Sequence, residues 1–268
     1  MPILQALTLG IVQGVTEFLP ISSDGHLWIV YRLFGDQPNL TFEIFLHFAT
    51  LLVLVGYFWR DIAELAASIL PANRARTSER RLVGLIVVGT AISGAIALFM
   101  GGVVEQANSS GIWVGLGFLL TAVLMTLAEA LRAKGTQVRE AGSLPLWRAV
   151  PIGVLQALAV LPGVSRSGST ISGGMYARLD RESAARFSFL LGIPIIALAT
   201  AKDALDVFSG ASTLPPLVPS VVGFLAAAGA GYLAIWGLLA FVKRHSLYWF
   251  VAYTALVGTA ILVRTVVA

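Results

Sequence analysis

Most of the reactive side chains of this chain sit in two serine-rich stretches. The first is Pro20-Ile21-Ser22-Ser23-Asp24-Gly25-His26, and the second is Pro162-Gly163-Val164-Ser165-Arg166-Ser167-Gly168-Ser169-Thr170. In the second, Ser165, Ser167, Ser169 and Thr170 supply hydroxyl donors, and Gly163 and Gly168 permit tight backbone and close ligand approach. Arg166 adds a planar fork of donors that suits phosphate. The residues from Ser169 onward open a helix whose free N–H groups and dipole favour an anion. The combination points to binding of negative oxygen. The plainer reading is a capping serine beside a snorkelling arginine. It meets a cost: an arginine within the membrane costs at least about 2.5–3.5 kcal/mol, whereas a cap is worth about 1 kcal/mol.

The first stretch carries different chemistry. Gln13 and Glu17 are four apart and share a helix face beneath Ser22, Ser23 and His26. An amide oxygen and a carboxylate are hard ligands, suited to Mg²⁺ or Ca²⁺. Glu17 could alternatively serve as a general base. His26 could act as nucleophile, base or acid, or could be a packed interfacial histidine. Glu43 and His47 form a second i,i+4 pair, read either as a structural ion pair or as an addition to the site, and Asp24 is a further secondary candidate. Glu129 with Arg132, and Asp180 with Arg181 and Glu182, read as solvated helix ends. Together the two stretches hold an anion cradle, a cation-binding carboxylate and an activated hydroxyl or imidazole. That is a kit for phosphoryl transfer or phosphate-ester hydrolysis, where positioning and charge neutralisation dominate.

The elements that must position these groups are membrane helices. With 57% hydrophobic and 12% charged residues, the chain is far too apolar for a soluble domain. A span needs roughly 20 apolar residues. Six stretches qualify or nearly so: Ile44 to Trp59, Leu82 to Gly101, Ile112 to Ala128, Phe187 to Ala201, Leu217 to Val242 and Ser246 to Val263. Pro2 to Thr16 and Ala149 to Val164 are also apolar, but each runs into a serine turn, and polar turns at that depth suggest broken helices lining a site. Both are read as re-entrant, the competing reading being ordinary spans with polar ends. Met1 to Pro20 lacks a basic start and carries Gln13 and Glu17, so it does not read as a signal peptide. Cysteine is absent, which excludes disulfides and thiol chemistry.

Charge supports the re-entrant reading. If Arg60 to Arg81 is cytoplasmic, so are Ala133 to Arg148, Arg178 to Arg186 and Lys243-Arg244, provided the two serine-turn segments do not cross. Of the 18 Lys and Arg, only Arg32, Lys202 and Arg264 then lie outside, with Arg166 in its turn; the loop Gly102 to Gly111 holds none. This is the positive-inside pattern. It makes the net charge of +4 an orientation signal with some attraction to anionic lipid, and not a nucleic-acid patch.

A shift of about 143 positions aligns Ala6 with Ala149, Gly10 with Gly153, Gln13 with Gln156, Ser22 with Ser165 and Gly25 with Gly168. The expected architecture is therefore an all-α polytopic membrane protein, one domain over 1–268. Six transmembrane helices are joined by two re-entrant helix-turn-helix segments, and the halves, approximately 1–140 and 141–268, form an inverted-topology repeat. Such repeats place a site near the midplane at their interface. A phosphate carried by a lipid could reach it while the tail stays in the bilayer. A secondary transporter or flippase of a phosphorylated lipid is the alternative, since inverted repeats and a midplane anion site are also transporter traits. No stretch resembles a channel filter. The small-residue run Ala226 to Gly231 offers close helix packing, within or between subunits.

The run Gln13-Gly-Val-Thr-Glu17-Phe-Leu-Pro-Ile-Ser22-Ser23-Asp-Gly-His26 resembles the first signature of the bacterial undecaprenyl-pyrophosphate phosphatases of the bacitracin-resistance type. Pro162 to Thr170 is similar to their second signature, Pro-Gly-x-Ser-Arg-Ser-x-x-Thr, and Ile171 to Met175 extends it. The resemblance covers essentially the whole chain. It implies hydrolysis of undecaprenyl pyrophosphate to the monophosphate and phosphate, which recycles the lipid carrier for cell-wall synthesis. It further implies a divalent cation, a homodimer, and a site open to the outer (periplasmic) side of the cytoplasmic (inner) membrane. By motif position Glu17 is the essential acid with Gln13 beside it, and Ser23, His26, Ser165 and Arg166 fall on functional positions. His26 and a serine both remain nucleophile candidates. Two departures stand out: Gln13 is the amide variant at its position, and Asp24 stands where Ser or Thr is common. Asp24 is expected to restore the charge that Gln13 lacks.

Overall fold

The structure, a computed structural model, describes residues 1–70, 76–108, 110–132, 137–206, 209 and 216–267, with the side chains of 40, 101–108, 203 and 206 left undescribed. Eleven α-helices run through these residues: α1 (Ile3–Phe18), α2 (Ser23–Phe34), α3 (Leu40–Tyr57), α4 (Trp59–Ile69), α5 (Thr77–Asn108), α6 (Gly111–Arg132), α7 (Ala149–Leu158), α8 (Arg166–Tyr176), α9 (Arg181–Asp206), α10 (Leu217–Val242) and α11 (Tyr248–Val267). The described residues contain no strand, only an isolated bridge between Val138 and Leu179.

Each of the six expected spans is largely helical, with a break at Phe58 in the first and a start at Tyr248 in the last. Five helices (α5, α6, α9, α10 and α11) are long and apolar enough to cross a membrane, and a sixth span results if α3 and α4 count as one despite a 71° bend. The structure differs from the sequence reading at two loops. Arg60 to Arg81 is not all loop, because Trp59–Ile69 forms α4. Ile62 and Leu65 pack on the core while Asp61 turns outward to Arg186 at 2.6 Å, an amphipathic pattern too short to stand out in a charged stretch. Likewise α5 runs on to Asn108, into the stretch expected as the loop Gly102 to Gly111. Residues 71–75 and 133–136 of the expected loops lie outside the described residues.

Both serine turns are breaks between helices, as their prolines require. Pro cannot donate a helical hydrogen bond, and α1 stops two residues before Pro20. Ser22 then adopts φ 70°, a left-handed conformation that non-glycine residues rarely take. After α7, tight i→i+3 bonds from Ala159, Val160 and Leu161 lead to Pro162, and Gly163 turns the chain at φ 81°. A Cβ on Gly163 would meet the Val114 carbonyl oxygen at 2.1 Å, so only glycine fits. The two following helices are capped alike: Ser22 Oγ accepts the Gly25 N–H at 3.3 Å, and Ser165 Oγ accepts the Gly168 N–H at 3.0 Å.

Close packing seats α1 and α7 against partners from the other half of the chain. A Cβ on Gly10 would lie 2.3 Å from the Gly223 carbonyl oxygen, and one on Gly153 would lie 2.7 Å from that of Gly89. The small residues of α10, Ala227 and Gly231 among them, therefore receive α1 within the same chain. The main core draws Phe18, Phe58 and Phe189 together, with ring centroids 5.8 and 5.9 Å apart, so that α1, α9 and the α3–α4 joint meet beside Glu17.

Glu129 and Arg181 are not solvated helix ends. Glu129 is buried, receives a two-pronged pair from Arg181 at 2.7 and 2.6 Å, and accepts the Leu247 N–H at 2.7 Å. Its carboxylate thus ties α6, α9 and the start of α11 together. Sequence alone pairs Glu129 with its helical neighbour Arg132; the partner comes instead from 52 positions away.

Candidate active site

The two turns meet each other. Ser167 Oγ donates to the Leu19 carbonyl at 2.9 Å, and Arg166 Nη2 donates to Glu17 Oε1 at 2.7 Å. Glu17 is 7% exposed, so its charge is compensated inside the protein and not by water. Its other oxygen, Oε2, accepts Ser23 Oγ at 2.7 Å and Gln13 Nε2 at 3.3 Å. His47 Nε2 stands 3.9 Å from Glu17 Oε2 and 3.8 Å from Asp24 Oδ1. One carboxylate therefore gathers a guanidinium, a hydroxyl, an amide and an imidazole from α1, α2, α3 and α8.

These groups border a cavity of about 530 Å³. Its lining combines polar side chains (Glu17, Ser23, Asp24, Glu43, His47 and Arg166) with apolar ones (Ile44, Val160, Val164, Ile195, Ile196 and Ala199). A cavity with both kinds of lining can take a charged head together with hydrocarbon. Arg166 is aimed by its surroundings: Nη1 reaches the Ser188 carbonyl at 3.5 Å, and Gly192 leaves room for it, since a Cβ there would lie 2.1 Å from Nη1.

Other expected residues are placed elsewhere. Ser165 caps α8, takes its backbone bond from N–H to Thr121 Oγ1 at 2.9 Å, and contacts Ser167 Oγ at 3.2 Å. Ser167 bonds Leu19, Thr170 bonds Arg166 O and Ser188 Oγ, and Ser169 Oγ is buried without a partner among the described residues. None of the five residues expected as a cradle (Ser22, Ser167, Gly168, Ser169 and Thr170) lines the cavity. The N-terminal part of α8 is buried, and the Ser167 and Thr170 hydroxyls and the Gly168 N–H are taken by the turn and by neighbouring helices. Only Arg166 of that set reaches the cavity.

His26 also lies off the cavity wall. Its Nδ1 is 2.6 Å from the Ser22 carbonyl and its Nε2 is 2.7 Å from the Tyr253 hydroxyl, against which the ring stacks. A carbonyl can only accept, so Nδ1 carries the proton and Nε2 accepts from Tyr253. Both nitrogens are therefore engaged, and the ring pins the carbonyl of the residue with the unusual φ. Along α3, His47 Nδ1 bonds the Glu43 backbone carbonyl at 3.0 Å and turns its other nitrogen to Glu17 and Asp24. Sequence reading missed Thr121, Ser188 and Gly192. The available signal was weak, small or hydroxyl-bearing residues inside uncharged spans.

The Gln13 Oε1 atom is buried and has no hydrogen-bond partner among the described residues. An orphaned oxygen beside a carboxylate fits a hard cation. Among the described residues no three His, Asp or Glu side chains are placed so that they alone could hold a metal ion. The donors fit a cation that takes few ligands from protein and most from phosphate and water, as Mg²⁺ commonly does.

Fold and site define a multi-span helical membrane protein with a buried carboxylate–arginine pair and a serine at a half-apolar cavity. The chain belongs to the bacitracin resistance protein BacA family, whose model matches residues 6–260. It is 37% identical to the undecaprenyl-diphosphatase of Thermomicrobium roseum, over 98% of each chain. It is 36% identical to that of Methanosphaera stadtmanae, over 99% of each. It is 39% identical to that of Carboxydothermus hydrogenoformans, over 97% of this chain and 96% of the relative.

Proposed function

We propose that the protein hydrolyses undecaprenyl diphosphate to undecaprenyl phosphate and inorganic phosphate, recycling the lipid carrier used in cell-wall synthesis. The observation that carries this reading is the Glu17–Arg166–Ser23 constellation at a cavity lined by both polar and apolar side chains. The substrate's diphosphate would lie against Arg166 and its prenyl tail along the Ile195–Ala199 side. Arg166, steadied by Glu17, neutralises the equatorial oxygens of the terminal phosphoryl group. Ser23 Oγ attacks the terminal phosphorus and passes its proton to Glu17 Oε2. The bond from that phosphorus to the bridging oxygen breaks, and undecaprenyl phosphate leaves. Water then opens the phosphoserine, with Glu17 moving the proton, and releases phosphate. A divalent cation held by Glu17, with Gln13 Oε1 and Asp24 nearby, would add charge neutralisation at the diphosphate. His26 serves as a positioning residue, holding the Ser22 backbone so that Ser23 faces Glu17.

The membrane arrangement belongs to the same reading. The matched caps at Ser22 and Ser165, and the crossed glycine pairs Gly10–Gly223 and Gly153–Gly89, are what two inverted, interlocked halves with re-entrant helix pairs would produce. With the basic loops inside, the cavity opens to the outer face of the inner membrane.

Purified protein in detergent, given undecaprenyl diphosphate and Mg²⁺ or Ca²⁺, should release phosphate, and Glu17→Ala and Arg166→Ala should abolish release while the protein stays folded. Rapid quenching with substrate labelled in the terminal phosphate should place label on Ser23. Label on His26 would reject the serine step. Transfer of the lipid across vesicles without phosphate release would reject hydrolysis itself.

A further inference from the structure

At the end of the bundle away from this cavity, α6 and α10 finish and α9 begins. Their ends enclose a second cavity of about 730 Å³. Its wall carries five cations, Arg132, Arg139, Arg181, Arg186 and Lys243, against the two carboxylates Asp180 and Glu182. Most of these charges are already matched. Arg181 is held by Glu129 at 2.6 Å, Arg186 by Asp61 at 2.6 Å, and Lys243 by Glu182 at 3.0 Å. Asp180 accepts the Ser183 N–H at 2.8 Å and stands 3.9 Å from Arg139.

Arg132 is left over. Among the described residues no carboxylate pairs with it, and its Nε is buried with no hydrogen-bond partner. The carboxylate next to it in the helix, Glu129, is fully engaged by Arg181 and the Leu247 N–H. An ordinary solvated arginine would satisfy Nε with water. Arg132, half-buried, with one donor unmatched and at the lining of a cavity of net positive charge, suits instead an anion with several acceptor oxygens. The setting narrows the ligand. Two helices long enough to span a membrane end here and a third begins, so the cavity lies at a membrane–water boundary, at headgroup level.

We propose that this cavity is a second anion site, which binds a phosphate group through Arg132, with Arg139 and Lys243 at its rim. The phosphate is that of an anionic phospholipid in the adjoining leaflet or free inorganic phosphate.

The test uses the full-length protein in neutral detergent, with Arg166→Ala as background so that the first cavity cannot report phosphate. One arm compares retention of phosphatidylglycerol and phosphatidylcholine by native mass spectrometry. The other follows thermal melting as inorganic phosphate is added. Losing one charge-assisted hydrogen bond corresponds to about tenfold in affinity, so Arg132→Gln should lower binding by about that factor. Preferential retention of phosphatidylglycerol that Arg132→Gln removes identifies the lipid source. A phosphate-dependent melting shift that it removes identifies the free anion. Arg132→Gln in the otherwise wild-type protein should keep its basal hydrolysis in neutral detergent, which doubles as the check of folding. If that variant fails to fold, Lys243→Gln, at a half-exposed position, must weaken the same binding. Binding in both arms unchanged by the folded variant, or no selective binding at all, overturns the proposal.

Discussion

Glu17 Oε1 and Arg166 Nη2 are 2.7 Å apart, although 149 positions separate the two residues in the chain. The pair joins the first serine turn to the second and sits at the wall of the cavity. Both side chains are largely buried, at 7% and 14% exposure, so each depends on the other for its charge. Removing either alone leaves an uncompensated buried ion, which costs about 3–5 kcal/mol. Glu17→Gln and Arg166→Gln are each expected to lower the melting temperature clearly and to cut phosphate release by at least about 10²–10³-fold. The double variant should regain much of the stability and none of the activity. A double variant no more stable than the worse single one would show that the pair is not an electrostatic unit.

Gly192 tests the aim of Arg166 without touching its charge. A methyl group there would occupy the place of Nη1, and the flexible guanidinium would swing aside. Displacement of a positioned group by about 1 Å can cost about 10²-fold in rate. Gly192→Ala should therefore lower kcat strongly, with a smaller fall in melting temperature than Arg166→Gln, since the charge stays near Glu17. Gly94→Ala, where a Cβ meets nothing within 4 Å, is the matched control and should leave activity intact.

Neighbouring serines should separate cleanly. Ser23→Ala removes the hydroxyl bonded to Glu17 and should abolish turnover in a folded protein. Ser22→Ala removes a helix cap and should cost about 1 kcal/mol of stability, with activity reduced in proportion to the disturbed turn. Tyr253→Phe, which deprives His26 of its Nε2 partner, should lower kcat several-fold while phosphoenzyme label stays on Ser23. Activity unaffected by both His26→Ala and Tyr253→Phe would remove the positioning role from His26.

Metal dependence should follow the charge near Gln13. Gln13→Glu places a second carboxylate beside Glu17 and should lower the Mg²⁺ or Ca²⁺ concentration needed for half-maximal activity. Asp24→Ser should raise it. Chelation of divalent ions should silence the wild-type protein. An Asp24→Ser variant with unchanged activation would show that Asp24 does not stand in for the missing carboxylate.

Glu129 predicts a stability effect far from the chemistry. Glu129→Ala strands Arg181 and frees the Leu247 N–H in a buried place, for about 3–5 kcal/mol of destabilisation. Thermal melting should show the loss, while the rate per folded molecule at low temperature stays close to that of wild type.

The apolar runs, the breaks at Pro20 and Pro162-Gly163, and the match between the two serine turns were legible along the chain. Each depends on local properties: hydropathy over a span's length, a missing N–H, a residue able to take positive φ. Gln13 and Glu17 were placed on one face by helical periodicity alone, and the structure keeps them in contact. Which hydroxyls face the cavity was not legible. Ser165, Ser167, Ser169 and Thr170 carry the same chemistry as Ser23, yet their side chains are buried whereas α2 is open at Ser23 and Asp24. His26 and His47 exchanged expected places for a similar reason. Which way an imidazole turns depends on a hydroxyl 227 positions away on α11 and on two carboxylates from α1 and α2. The sequence by itself determined a membrane-embedded helical chain with two polar breaks and the groups for phosphate chemistry, because those follow from residue type and near-neighbour spacing. Only the tertiary structure decided which of those groups converge: long-range packing of α1 on α10 and α8 on α9 sets the direction of each side chain, and no local pattern encodes it.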